Sequence, residues 1–343
     1  MNGNTDRLDR REFLRGTGFA GAAGLVGLRP DHALAEPPPE TTTIRLYRPP
    51  TTNAGLCVAP QLVAEDLLRA EGFTDVQYGV RGRVGANRAL AAGDIDITLG
   101  FVGNWIRQID AGDPIVLLGG GHIGCYELFA SDRIHTVRDL NGKTVGVTEI
   151  GSGRHVFLLS LLSYVGMDPR KDVTLVTQPT AECVKLFAAG QLDAYQAFAE
   201  EVQEIRARKI GHVIMNSTTD RPWSQYFCCV LAGNRDFVRK HPIATKRAMR
   251  AILKASSVCT LEPDRVARQL IDRKFAAAPF EQFRDMLQSL PYLKWREYDP
   301  DDTVRFYALR LREVGMLKAS PQKILAQGTD WRFLNELKKE LKG

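Results

Sequence analysis

The hydrophobic and polar positions follow two alternating patterns from Thr43 onward. Short stretches rich in β-branched and aromatic residues, such as TIRLYR (43–48) and DVQYGVR (75–81), are typical of strands. Between them, APQLVAEDLLRAEG (59–72) has the apolar spacing of a helix and ends at a glycine. This alternation predicts an α/β fold with mainly parallel sheets flanked by helices. Beyond about residue 233 the pattern turns helical to the end of the chain.

Two stretches of the chain match each other. ALAAGDIDITLGF (89–101) and LFAAGQLDAYQAF (186–198) both predict the end of a helix, a glycine cap in the left-handed conformation, and a strand that ends in phenylalanine. A generic helix-to-strand corner would also produce this pattern. We interpret it as two lobes of similar topology, each with ligand-binding loops at the carboxyl ends of its strands.

The amino-terminal segment predicts an export signal. Arg10 and Arg11 form a twin-arginine pair, and a Gly- and Ala-rich apolar run follows that is shorter than the roughly 20 residues needed to span a bilayer. An A-x-A pattern then ends at Ala35. Residues 1–35 are therefore expected to be a twin-arginine signal peptide cleaved after Ala35, with 36–42 as a flexible leader. The mature protein is expected in the periplasm.

Composition and charge narrow the class of protein. The chain has 343 residues, of which 44% are hydrophobic and 25% charged, so it can build a substantial core. The net charge of +6 is spread along the chain without a basic block or a nucleic-acid-binding motif, which argues against nucleic acid as a partner. The metalloprotease and serine-hydrolase motifs are missing from the sequence. No catalytic residue, metal or cofactor is expected.

The six cysteines show no disulfide-framework spacing, and we expect most of them to be buried thiols. Two of them are adjacent in FCCV (227–230), within a predicted strand.

Three segments carry a resemblance to a known family. NRALAAGDIDITLGFVGN (87–104), VRDLNGKTVGVTEIGSGRHVFLLSLLSYVGMD (137–168) and KLFAAGQLDAY (185–195) resemble the periplasmic substrate-binding proteins of nitrate/sulfonate/taurine-type ABC importers. The same superfamily includes binders of pyrimidine precursors and enzymes of thiamine biosynthesis. The resemblance extends over roughly 43–255.

The resemblance implies a two-lobed periplasmic binding protein (type II) fold, with two crossover strands and a helical C-terminal region. Lobe one would comprise 43–125 and 232–343, and lobe two, with the crossovers, 126–231. The ligand would lie in the cleft between the lobes.

The resemblance also implies a function. The chain would be the exported component of an ABC importer, a monomer that captures a small anionic organic solute, sulfonate-like or carboxylate-like. It would deliver this solute to a permease and its ATPase at the inner membrane. The alternatives are a binder of a neutral pyrimidine or thiamine precursor, a periplasmic sensor subunit, or an enzyme like the thiamine-precursor synthases. Those enzymes carry a CCCFC run with an active-site histidine, of which this chain has only FCCV.

An arginine in the first turn of a predicted helix raises the question of the ligand's charge. Arg154 follows Gly-Ser-Gly at a helix N-terminus, where the helix dipole disfavours positive charge. A bound anion would offset this placement and use the free backbone N–H groups. Pairing with a carboxylate such as Glu149 or Glu200 is the alternative. The candidate ligand-binding residues around the cleft are Thr52, Asn53, Arg83, Asn104, Trp105, Ser152, Gly153, Arg154, Tyr195 and Trp223.

Overall fold

The computed structural model describes residues 36–49, 55–79 and 85–341. The predicted signal peptide lies outside the described residues, as do the candidate ligand residues Thr52, Asn53 and Arg83. Within the described ranges, every helix is too short or too polar to cross a bilayer.

Ten strands are described. In chain order they are β1 (Thr43–Tyr47), β2 (Asp75–Gly79), β3 (Ile97–Phe101), β4 (Ile115–His122), β5 (Tyr126–Ala130), β6 (Lys143–Val147), β7 (Val173–Thr177), β8 (Ala194–Phe198), β9 (His212–Asn216) and β10 (Cys229–Asn234).

The helices are α1 (Ala59–Val63), α2 (Glu65–Ala70), α3 (Ala86–Ala92), α4 (Val102–Ala111), α5 (Gly153–Tyr164), α6 (Thr180–Ala188), α7 (Ala199–Ala207), α8 (Arg235–Lys240), α9 (Pro242–Leu261), α10 (Pro263–Asp272), α11 (Phe280–Ser289), α12 (Pro300–Glu313), α13 (Pro321–Gly328) and α14 (Arg332–Glu340). The helical C-terminal region is therefore confirmed.

The strands form two five-stranded sheets of the same topology. The order is β2-β1-β3-β10-β4 in one sheet and β7-β6-β8-β5-β9 in the other. In each sheet the first three strands are parallel, and the fourth runs antiparallel to both of its neighbours. The α/β fold is confirmed, and four of the five strands in each sheet run in one direction, so each sheet is mainly parallel with one antiparallel strand. The antiparallel strands, β5 and β10, are those by which the chain passes from one sheet to the other.

The matched stretches of sequence form equivalent corners of the two sheets. Gly93 has a φ of +74° and Gly190 a φ of +69°, so both adopt the predicted left-handed conformation. The aspartate three residues after each glycine accepts a hydrogen bond from the neighbouring strand. Asp96 accepts a hydrogen bond from the Arg45 N–H at 2.7 Å, and Asp193 accepts one from the Thr144 N–H at 2.9 Å. The sequence repeat therefore encodes a structural repeat.

The C-terminal helices cover both halves of the molecule. Helix α9 packs on α1 and α2, whereas α12 contacts both α4 and α5. On α12, the Tyr307 ring lies edge-on to Phe101 at the end of β3, with the ring centroids 5.5 Å apart. This packing positions the strand ends and the first turns of α4 and α5, where the candidate site lies.

Candidate functional site

A cavity of about 280 Å³ lies where the two sheets present the ends of their strands. The cavity is lined by the last residues of β1, β3 and β8, which are Tyr47, Phe101 and Phe198. Gly153 and Arg154, at the start of α5, also line it. Because both sheets contribute strand ends, the cavity has the location at which open α/β sheets bind ligands.

Three aromatic rings form one wall of the cavity. The repeated residues Phe101 and Phe198 lie on either side of Tyr126, with centroid distances of 5.4 Å and 5.7 Å to its ring. Burial raises the pKa of Tyr126 well above its usual range, so its hydroxyl stays protonated. A Cβ on Gly153 would lie 2.3 Å from that hydroxyl, so a glycine is needed there. The wall suits a ligand with an apolar face.

Asn104 and Trp105 in the first turn of α4 bring polar groups to the cavity. The Asn104 side-chain amide donates to the Gly151 carbonyl at 3.0 Å, while its Oδ1 is buried with no partner among the described residues. The Trp105 indole is fully buried, and its Nε1–H likewise lacks an acceptor there. A buried polar group left unsatisfied costs about 1–3 kcal/mol. The cavity is therefore lined by two residues, Asn104 and Trp105, whose buried polar atoms lack a partner among the described residues.

Arg154 is the one charged side chain among the described residues that line the cavity. It forms a salt bridge with Glu201, whose side chain is only 4% exposed. The guanidinium also lies over the Phe198 ring, 5.3 Å from its centroid. The other carboxylate oxygen of Glu201 accepts from the Phe198 N–H at 2.8 Å. Pairing with a carboxylate, the alternative considered above, thus occurs, with Glu201 as a partner.

The loop before α5 is held by its own side chains. The Ser152 hydroxyl caps the helix by accepting from the His155 N–H at 3.3 Å, and the His155 Nδ1 accepts from the Gly151 N–H at 3.1 Å. Burial lowers the pKa of His155, and the nearby Arg107 lowers it further. A neutral imidazole is required, because a protonated Nδ1 could not accept this hydrogen bond.

The other predicted ligand residues that the structure describes lie outside the cavity. Ser152 borders a neighbouring surface recess that Asn104 also lines. Tyr195 is fully buried in a hydrophobic cluster of the second sheet, and Trp223 packs against Phe157 and Phe306. Neither of these two rings lines the cavity, and ligand contact by them stays a prediction. Of the seven candidates that the structure describes, Asn104, Trp105, Gly153 and Arg154 line it.

Sequence reasoning missed the cysteines at this site. Cys57 and Cys229 line the cavity and come together with His122 and Cys125, so that one ligand atom from each lies within 4.8 Å of the others. Burial opposes charge on Cys229, but hydrogen bonds from Cys125 and Cys228 outweigh it and hold the pKa of Cys229 well below its usual range. Such a donor set could hold a metal ion. The local signals were FCCV and the three-residue spacing of His122 and Cys125, while Cys57 and Cys229 are distant from that pair in sequence.

The comparisons with known proteins find a family model and curated relatives that match part of the chain. The model of the NMT1-like family matches residues 128–272. A binding protein of Brucella abortus (strain 2308) is 25% identical over 178 residues, which are 52% of this chain and 54% of that protein. The chain thus matches about half the length of this curated relative.

Solved structures extend the similarity to nearly the whole chain. The periplasmic nitrate-binding protein NrtA from Synechocystis PCC 6803 superposes with a TM-score of 0.70 at 17% identity, covering 89% of this chain and 90% of that one. The aliphatic sulphonate-binding protein SsuA from Escherichia coli gives 0.64 at 16% identity, covering 83% and 91%. The desulfurization enzyme DSZB has the same fold. The resemblance found in the sequence is confirmed, and the chain has the fold of the periplasmic nitrate- and sulfonate-binding proteins.

Proposed function

We propose that the chain is the exported solute-binding component of an ABC importer. Its solute would be a small organic molecule, and the part of the solute that contacts Asn104 and Trp105 would be uncharged. The binding proteins with the same fold support the transport role. The solute would bind between two lobes, 43–125 with 232–343 and 126–231, and favour their closed arrangement. A permease and ATPase would then receive it from the monomeric protein.

The unsatisfied polar pair supports the neutral solute. Trp105 Nε1–H needs an acceptor and Asn104 Oδ1 needs a donor, whereas nitrate offers acceptors only. The charge of Arg154 is already balanced by Glu201. A ring or amide that carries both a carbonyl and an N–H, stacked on the aromatic wall, satisfies both groups. This favours the neutral pyrimidine-like alternative over the anionic solute expected first.

An anionic solute remains the second candidate, because one observation favours it. Gly153, the first residue of α5, lines the cavity, so the helix presents there the end at which helices bind anions. A sulfonate or carboxylate there would compete with Glu201 for Arg154.

The test is a binding titration with the chain from Glu36 onward. The panel sets neutral pyrimidines and cyclic amides against sulfonates, carboxylates and nitrate. Trp105→Phe keeps an aromatic ring but removes the N–H, and it should weaken a neutral solute by about 5- to 100-fold, the equivalent of about 1–3 kcal/mol. Trp295→Phe is the matched control, because Trp295 also buries an indole N–H without an acceptor among the described residues but does not line the cavity.

The outcomes separate the candidates. A neutral solute bound equally well by both tryptophan variants would contradict the proposed contact. Binding of anions alone, lost in Arg154→Ala, would establish the second candidate. Chemical change of the bound solute on prolonged incubation would overturn the view that the protein captures without catalysis.

Export by the twin-arginine route, with cleavage after Ala35, belongs to the same proposal. Amino-terminal sequencing of protein from the periplasmic fraction should begin at Glu36. Replacement of Arg10 and Arg11 by lysine should retain the precursor in the cytoplasm.

A further inference from the structure

Three cysteines and a histidine meet beside the cavity, although the chain brings them from separate places. Cys57 lies in the 3₁₀ turn before α1, and His122 ends β4. Cys125 lies in the short connection to β5, with a φ of +102°, and Cys229 begins β10. No other group of this kind occurs in the described ranges.

The distances fit a tetrahedral metal centre. A Zn–S bond of about 2.3 Å gives a tetrahedron with edges of roughly 3.8 Å. The Sγ atoms of Cys57 and Cys125 are 3.3 Å apart. All four ligand atoms lie within 4.8 Å of one another. A small movement of the side chains is therefore enough to place them around one ion.

The histidine has the partners of a metal ligand. His122 is fully buried, and its Nδ1–H can donate to the Ile123 carbonyl at 3.0 Å. Its Nε2 is then left as a lone-pair nitrogen, with no hydrogen-bond partner among the described residues. Metal-binding histidines commonly donate their second ring N–H to a backbone carbonyl, which fixes the tautomer. The side chain is therefore prepared to ligate.

We propose that Cys57, His122, Cys125 and Cys229 bind a thiophilic divalent cation of the Zn²⁺ type. Three thiolates and one imidazole are a standard structural donor set for zinc. Binding displaces the thiol protons to solvent and involves no oxidation or reduction. Because four protein ligands complete the coordination, the ion would be structural.

The ion would connect the parts of the chain that link the two sheets. His122 and Cys125 flank the connection from β4 to β5, and Cys229 follows the return connection to β10. Cys57 joins the turn before α1 to both of them. A bound ion would therefore fasten the two connections to one wall of the cavity. This inference does not depend on the identity of the solute.

The experiment measures metal retention by the full mature chain, without any solute. The protein is reduced under anaerobic conditions, stripped with a chelator, loaded with Zn²⁺ and desalted. We expect about one zinc per chain. With Co²⁺ in place of Zn²⁺, a thiolate-to-metal charge-transfer band and tetrahedral d–d bands should appear.

Matched serine variants locate the site. Cys57→Ser alters the one half-buried member and should lower zinc affinity at least tenfold and weaken the cobalt band. Cys183→Ser is the control, since this thiol is buried in the second sheet's cluster, away from the site. Thermal unfolding without metal shows whether each variant folds. Added zinc should raise the melting temperature of the parent chain and of Cys183→Ser, but not that of Cys57→Ser.

Two results would overturn the proposal. One is a reduced parent chain that folds but retains no zinc. This result would overturn the proposal even if mass spectrometry finds a Cys57–Cys125 disulfide before reduction. The other is equal zinc retention by Cys57→Ser and the parent chain.

Discussion

The two matched corners of the molecule share a framework, but one is followed by uncharged polar side chains and the other by a carboxylate. At residues 89–101 and 186–198, a left-handed glycine, a strand-binding aspartate and a cavity-lining phenylalanine recur in the same order. The residues that follow differ. After Phe101 the chain supplies Asn104 and Trp105, whereas after Phe198 it supplies Glu201, which balances Arg154. The repeated part places equivalent residues at the cavity, and the first turn of the following helix is where the two corners differ.

The largest effect is expected on the free energy of unfolding, when the equivalent aspartates Asp96 and Asp193 are each replaced. Asp96 is 1% exposed and binds the side chain of Arg45 as well as its N–H, whereas Asp193 has no such arginine among its hydrogen-bond partners. Asp96→Ala should lower the free energy of unfolding by about 2–3 kcal/mol, and Asp193→Ala by about 1 kcal/mol. Urea denaturation measures both. Equal losses would mean that the arginine contributes nothing.

An intermediate effect is expected when the carboxylate of the second corner is neutralised. Glu201→Gln keeps an oxygen that can accept from the Phe198 N–H but removes the negative charge that pairs with Arg154. Affinity for sulfonates or carboxylates should rise about tenfold, or about 1.4 kcal/mol, because a charge-assisted hydrogen bond becomes available. Neutral solutes should lose little affinity. Titration of both classes against the parent chain is the measurement, and unchanged anion affinity would show that Arg154 does not face the ligand.

The smallest effect concerns the pH dependence of stability and the His155 side chain, which holds the loop before α5 in the second half of the molecule. Burial lowers the folded-state pKa of His155 below its ordinary value of about 6.5. The unfolded chain therefore binds a proton more readily, so stability should fall as the pH drops below about 6.5 and level off below the folded-state pKa. His155→Gln should flatten this part of the profile. A control, His135→Gln, alters an exposed histidine, and an identical flattening there would contradict the assignment.

The sequence predicted the framework because local physical rules determine it. Gly93, Gly190 and the Ser152 cap were each predictable from neighbouring residues, since helix termination and capping are local. The mixed sheets were not predictable in the same way, because the insertion of β5 and β10 depends on pairing between strands that are distant in the chain.

The chemistry of the site was harder to predict. Asn104, Trp105 and Arg154 were expected at the cleft, yet nothing near Arg154 in sequence distinguished Glu201 from Glu149 as its partner. Likewise, Cys57 and Cys229 show no motif spacing, and only the folded chain brings them together. Side chains that meet through tertiary structure leave little trace in local patterns.

The exchange of one strand between the sheets has a consequence for biosynthesis. Strand β10 lies between β3 and β4, so the first sheet lacks an internal strand until residues 229–234 have left the ribosome. Such non-local pairing makes folding slow and late. A nascent chain of this kind completes neither its first sheet nor the cavity during most of its translation. Such a chain is therefore suited to an export pathway that carries the protein only after folding is complete.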